Sequence, residues 1–228
     1  MKVVALLPMK ANSERVKGKN FKDFCGKPLF RWMLDTLTSV EGIDTIVINT
    51  DARELLEENG LVGSKKILIR DREKEICGDY VSMNLVIADD VKNMDADIYL
   101  MTHTTNPLMS KQSIELALEE FKQALQSATI DSLFTVNKVQ TRFYDQDVFP
   151  VNHDSSNLVR TQDLEPWYEE NSNLYLFTKE SFSQTQARIG ERPMMLETPP
   201  LESTDIDTPD DWALAEVIVK YYQEIGLL

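Results

Sequence analysis

Cysteine is scarce in this chain: Cys25 and Cys77 are the only two in 228 residues. They match neither a zinc-ribbon spacing nor a disulfide framework, so they read as free thiols in a reducing compartment. No apolar run approaches membrane-spanning length. The opening MKVVALLPMK reaches Pro8 too soon for a signal h-region and offers no small-residue cleavage site. The expectation is a cytoplasmic protein without a membrane partner. Basic charge is also short, with 24 Lys and Arg against 38 Asp and Glu and a net charge of -14. That balance speaks against nucleic-acid binding, which uses a basic face to release counterions from phosphates. Internal repeats, Gly/Ser linkers, a Walker A loop, a GxGxxG fingerprint and a GxSxG elbow are all missing. The two histidines, His103 and His153, are not at metal or nucleophile spacing.

The shortage of basic charge is uneven. Residues 1–31 hold eight basic side chains against two acidic ones, a cationic island in an acidic protein. Such an island predicts a focused anion site.

Apolar runs of strand length alternate with helical patterns through the first two thirds of the chain. Strands are expected at Val3–Leu7, Thr45–Ile48, Lys66–Ile69, Ile98–Met101 and Ser132–Val136. Helices are expected at Pro28–Thr38, Arg53–Glu58, Ser82–Val91 and Ile114–Leu125. This alternation predicts one α/β domain over 1–228 with a doubly wound, mainly parallel sheet and ligands at the carboxyl ends of the strands. From about 137 to 170 the pattern gives way to polar, aromatic and Asp-rich sequence, which reads as an arm inserted in the core. Strands resume at Leu174–Phe177 and Met194–Leu196, and a last helix runs from Thr208 to about Tyr222.

Two constellations could carry chemistry. The loop PMKANSERVKGKNF follows the first strand, where an open α/β sheet binds its ligand. Its Lys10, Ser13, Arg15 and Lys19 suit a polyphosphate through charge-assisted hydrogen bonds, the alternative being a solvated basic loop. The second is STDIDTPDDW. Thr208 as N-cap, Pro209 at the first helical position and Asp211 three residues on form a helix start. Asp205 and Asp207 precede the cap, where extended backbone places alternate side chains on one face. Two close carboxylates call for a cation or a proton, and beside a polyphosphate Mg²⁺ fits the all-oxygen set. A plain acidic loop ahead of a helix is the alternative.

The loop KANSERVKGKN with FCGKPL resembles the N-terminal signature of the CMP-sugar synthetases, the acylneuraminate and Kdo cytidylyltransferases. In the same order follow NTDARELLEENG, Arg70 ahead of CGDYVSMN, HTTNPL, RTQDLEPWYEENSNLYLF and TDIDTPDDWALAE. The resemblance spans nearly the whole chain. It implies a nucleotide-diphospho-sugar transferase-like fold with a small dimerisation arm, acting as a homodimer. It also implies transfer of CMP from CTP to the anomeric hydroxyl of an acidic nine-carbon sugar, with Mg²⁺ as cofactor. By motif position, Lys10, Ser13, Arg15, Lys19 and Asn20 would hold the triphosphate, with Lys19 serving catalysis. Arg70 and the Asp79–Ser82 stretch would hold the cytidine, and Asp205 and Asp207 the metal. The sugar would lie near His103, Gln162, Asn171 and Tyr175, with Arg160 available to its carboxylate. Lys10, Thr104–Met109 and Asn171-Ser172 depart from the usual acylneuraminate pattern, and Arg15 with Gly18-Lys19 is closer to the Kdo-type loop. Which ulosonic acid is taken therefore stays open. Transfer to a sugar 1-phosphate, a Kdo-type activity and a non-catalytic binding homologue are the alternatives.

Overall fold

The computed structural model describes residues 1–226; residues 227–228, the end of the expected 1–228 domain, lie outside the described residues. In chain order the elements are β1 (Val3–Leu6), a hairpin of β2 (Asp23–Phe24) and β3 (Lys27–Pro28), α1 (Leu29–Ser39), β4 (Thr45–Thr50) and α2 (Arg53–Glu58). Next come β5 (Ile67–Asp71), α3 (Met83–Asn93), β6 (Ile98–Thr102), α4 (Lys111–Gln126) and β7 (Ser132–Val139). The chain closes with β8 (Trp167–Phe177), α5 (Lys179–Thr185), β9 (Pro193–Glu197) and α6 (Pro209–Glu224).

Seven strands form one sheet in the order β5-β4-β1-β6-β8-β7-β9. β1 pairs in parallel with β4 and β6, β4 with β5, and β7 with β9, while β8 alone runs antiparallel to its neighbours. The expected doubly wound, mainly parallel α/β architecture is the one observed. β1 explains why: VVAL is buried on both faces, as a central parallel strand requires. Val3 and Ala5 face a core filled by Phe30, Met33 and Leu37 of α1 and Ile114 and Phe121 of α4. Val4 and Leu6 face the opposite core, with Ile87 and Val91 of α3 and Phe182 of α5. A third cluster seats α6 through Trp212, Ala215 and Val219 against Phe24, Leu29 and Trp32. α6 begins with the expected cap, in which Thr208 and Asp211 bond each other's backbone N–H groups.

Three elements differ from the sequence expectation. β8 is eleven residues long and starts at Trp167, ahead of the expected Leu174, through its pairing with β7; its first four residues are exposed and carry no apolar alternation that would mark them as strand. The β2–β3 hairpin turns on Cys25 and Gly26, both at positive φ (52 and 96°), which fits a two-residue hairpin loop. α5, with the sequence KESFSQT, is too short and polar to show a helical period; its cap, Thr178, accepts from Ser181 N–H.

The 137–170 segment leaves from the end of β7 and returns into β8, and these ends pair from Val136↔Glu170 to Val139↔Trp167. Phe143 stacks on Trp167 with ring centroids 5.2 Å apart. Tyr144, Val148, Phe149 and Leu158 are exposed.

Candidate active site

The order of the sheet reverses between β1 and β6: the chain winds outward through β4 and β5, then returns to the other side of β1. Ligands of open α/β sheets bind at such a switch point. Here the loops leaving β1 and β6 border a cleft of about 350 Å³. A larger hollow of about 830 Å³ lies between α1, the start of α4 and the end of α6, away from the carboxyl ends of the central strands. The smaller cleft gathers the cations and carboxylates that chemistry needs.

Lys10, Ser13, Arg15, Lys19, Asn20, Asp79, His103 and Asp207 all border this cleft. Val16 anchors the first loop by sitting in the α6 cluster beside Ile206. Its neighbours are thereby aimed at the 205–207 segment. Arg15 Nη2 stands 2.9 Å from Asp207 Oδ2. Lys19, only 8% exposed, donates to the Ile206 carbonyl at 2.6 Å and to Asp207 Oδ1 at 3.1 Å. Asn20 ties the two bordering loops together: it donates to the Lys10 carbonyl at 2.9 Å and accepts from the Thr104 hydroxyl at 2.6 Å. Lys10 is paired with Asp79.

Asp205 and Asp207 flank the buried Ile206, whose N–H donates to the Thr105 carbonyl at 2.9 Å. Asp207 faces the cleft, while Asp205 lies deeper, its Oδ1 buried with no hydrogen-bond partner. Burial pushes the Asp205 carboxyl up, the hydroxyl of Thr105 pulls it back, and the charge of Asp207 raises it again. An unpartnered buried carboxylate oxygen beside a second carboxylate is a donor set that a hard cation fits. His103 is held down to about 4 by burial first and then by the charge of Arg188, with Asp207 opposing and Lys19 adding to the shift. It is a neutral imidazole at ordinary pH.

Several residues expected at the site lie elsewhere. Arg70 does not reach the cleft: it sits within β5 and points at α3, paired with Asp89 at 3.1 Å and with Asp90, whose side chain is 1% exposed. A buried carboxylate requires such a partner, and Arg70 is committed to it. Arg72, two residues on and past the end of β5, borders the cleft instead. Its guanidinium donates to the carbonyls of Met9 (3.1 Å) and Asn49 (2.8 Å). The signal for Arg72 was its place beyond the carboxyl end of a strand. Ser82 caps α3, accepting from Asn84 N–H at 3.3 Å, and its neighbour Met83 borders the cleft. Asn171 is buried in a polar knot with Thr135 (2.7 Å) and Thr198 (2.7 Å). Tyr175 is buried in β8, its hydroxyl donating to Glu170, and is pushed up to about 12 by burial and that contact. Arg160 and Gln162 lie exposed on the 137–170 segment. Arg160 is taken by Asp163 and Gln162 lends its carbonyl to Gln140.

A cationic loop meeting a carboxylate, Asp207, at the switch point of a doubly wound sheet suits a nucleotide-handling α/β enzyme. A family profile described as Cytidylyltransferase matches residues 4–223. The chain belongs to the cytidylyltransferase family. It is 25% identical to a pseudaminic acid cytidylyltransferase of Campylobacter jejuni over 98% of this chain and 99% of that one. It is 26% identical to a CMP-N,N'-diacetyllegionaminic acid synthase of Legionella pneumophila, again over 98% and 99%. A solved CMP:2-keto-3-deoxy-manno-octonic acid synthetase in complex with CTP shares the fold at a TM-score of 0.68, with 15% identity over 97% of this chain and 99% of that chain.

Proposed function

We propose that this enzyme transfers CMP from CTP to the anomeric hydroxyl of a nonulosonic acid of the sialic type, with release of pyrophosphate. The observation that carries the reading is the meeting of Lys19 and Arg15 with Asp207 at the switch point, a basic loop and a carboxylate within 3.1 Å of each other. The names of the two relatives, for pseudaminic acid and N,N'-diacetyllegionaminic acid, support the substrate class.

In this reaction the anomeric oxygen bonds to the α-phosphorus of CTP, the bond from that phosphorus to the bridging oxygen of pyrophosphate breaks, and the hydroxyl proton is released to solvent. Displacement of this kind depends on positioning and on neutralising phosphate charge. Lys10, Arg15 and Lys19 would neutralise the triphosphate, Asn20 would fix the loop that carries them, and Arg72 would stand near the nucleotide. His103, half-buried at the cleft and held neutral, would serve as a hydrogen-bonding wall toward the sugar. Mg²⁺ would be held by Asp205 and Asp207 and would supply further charge neutralisation to the phosphates. The orphaned Oδ1 of Asp205 supports this choice.

The exposed Tyr144, Val148, Phe149 and Leu158 support a homodimer formed through the 137–170 arm, since apolar side chains grouped on one extension mark an interface. No helix among the described residues is long and apolar enough to cross a membrane. Two free thiols and a demand for CTP support a cytoplasmic reaction.

Pyrophosphate release tests the reading. CTP with a set of free ulosonic acids should give turnover, whereas UTP or GTP with sugar 1-phosphates should not. Turnover confined to sugar phosphates would establish the other class of sugar nucleotidyltransferase, and no turnover with any pair would point to a binding homologue.

A further inference from the structure

Arg72 borders the cleft with two of its three guanidinium nitrogens already committed. Nε donates to Asn49 Oδ1 at 3.0 Å, and Nη2 donates to the Asn49 carbonyl at 2.8 Å and the Met9 carbonyl at 3.1 Å. Among the described residues Nη1 meets no protein acceptor, and it is not one of the buried unpartnered atoms, so it stays accessible. Asn49 thus holds Arg72 twice, once by its side chain and once by its backbone.

Asn49 is itself held from behind. It is fully buried near the end of β4, and α3 packs on that strand through Ile87 and Val91 against Val47. Its Nδ2 donates to Asp90 Oδ1 at 2.8 Å and to Asp89 Oδ2 at 3.1 Å, both on α3. Arg70 serves the same two carboxylates, yet Asp90 Oδ2 still lacks a partner, so this end of the network calls for every donor within reach. Ionised carboxylates only accept and a guanidinium only donates, so the Asn49 amide can stand one way round. The site needs a short side chain that donates at one end and accepts at the other. An aspartate would set a third carboxylate against two, a leucine would serve neither end, and a glutamine would force an extra methylene into a closed site.

We propose that Asn49 is a positioning residue for nucleotide binding. The carboxylates of α3 fix its amide, the amide and the Asn49 carbonyl clamp Arg72, and Nη1 is thereby presented to an acceptor oxygen of CTP. The inference rests on the reading of the cleft as a CTP site. A free arginine loses rotamer freedom when it binds a ligand, and one clamped beforehand has little left to lose.

A double-mutant cycle on CTP affinity, read by isothermal titration with Mg²⁺ present, decides the matter. Asn49→Ala should weaken CTP binding roughly five- to tenfold, the scale of one lost hydrogen bond to a charged group. In the Arg72→Ala background the same substitution should cost nothing further, because the group it positions is gone. A role confined to packing would cost the same factor in both backgrounds. That result, or an unchanged affinity in Asn49→Ala, would overturn the proposal. The wild type supplies a measurement that does not depend on the variant folding. By NMR, the Arg72 Nε–H, assigned by its absence from Arg72→Lys, should exchange slowly with solvent before CTP is added. Exchange as fast as that of a solvated arginine, slowed only by CTP, would also overturn it. A wild type that does not bind CTP would overturn the proposed function and this inference together, whereas a CTP-binding enzyme indifferent to Asn49 overturns this inference alone.

Discussion

Lys19 and Asp207 meet at 3.1 Å across 188 residues of sequence, and Lys19 also donates to the carbonyl of Ile206 next door. Arg15 takes the second oxygen of Asp207 at 2.9 Å. The cations assigned to the triphosphate and a carboxylate assigned to the metal thus neutralise each other within the chain. Binding of a metal nucleotide would exchange both sets of partners at once.

Asp207→Asn keeps the shape and removes the charge. We expect pyrophosphate release to slow by about 3 kcal/mol of transition-state stabilisation, a hundredfold or more, with the fold retained. Lys19→Ala should weaken CTP binding by about 1.5–3 kcal/mol, read by isothermal titration. A near wild-type rate in the first variant and an unchanged affinity in the second would remove this pair from the site.

Asp205 calls for a different test, because its buried carboxylate lacks a partner at Oδ1. Its folded-state pKa is raised, chiefly by burial, so the folded chain loses stability relative to the unfolded one as pH climbs from the ordinary carboxylate value of 3.8. Asp205→Asn should therefore leave the metal-free protein at neutral pH as stable as the wild type or more so; a gain of about 1 kcal/mol reads as about 2–4 °C in Tm. The same variant should lose the extra stabilisation that Mg²⁺ with CTP gives the wild type. Thermal unfolding with and without the two ligands checks both halves. A destabilised variant that keeps its response to Mg²⁺ would argue against Asp205 as a ligand.

The sheet was legible in the sequence because its strands are buried on both faces and its helices show one apolar stripe. β1, VVAL, and α4, with Ile114, Ala117, Leu118 and Phe121 inward, are clear cases. The outer half of β8 and the short α5 carry no such period, since few of their side chains enter the core. The first loop was legible through charge, and Asp207 through its place before a helix cap. Arg70 and Arg72 show the limit. Both are arginines at the end of one strand, and only the position of the buried Asp90 tells which one is taken by the core.

The two arginines give separable variants. Arg70→Ala leaves Asp90 buried without its cation, a change of about 3–5 kcal/mol in stability. Arg72→Ala removes a guanidinium that braces the Met9 and Asn49 carbonyls at the cleft. We expect the first to lower the denaturation midpoint strongly while the folded fraction binds CTP with ordinary affinity. The second should weaken CTP binding with a smaller effect on the midpoint. Denaturant titration and calorimetry on both variants measure the two effects, and the opposite pattern would return Arg70 to the nucleotide site.

His103 supplies a prediction in pH. Burial and the charge of Arg188 lower its pKa from 6.5 to about 4 in the folded chain. Between those two values the unfolded chain binds a proton that the folded chain refuses, so stability falls as pH drops through this window. Above 6.5 neither state holds the proton and the contribution is flat; below about 4 both hold it and the loss is complete. His103→Gln cannot titrate. In the ligand-free protein it should therefore lose less stability than the wild type between pH 6.5 and 4, and the two profiles should run parallel above 6.5. Imidazole resonances followed by NMR, with His153→Gln to assign them, give the same answer directly. A His103 signal titrating near 6.5, or stability profiles that stay parallel to pH 4, would show the imidazole to be free of the burial and charge that the cleft imposes on it.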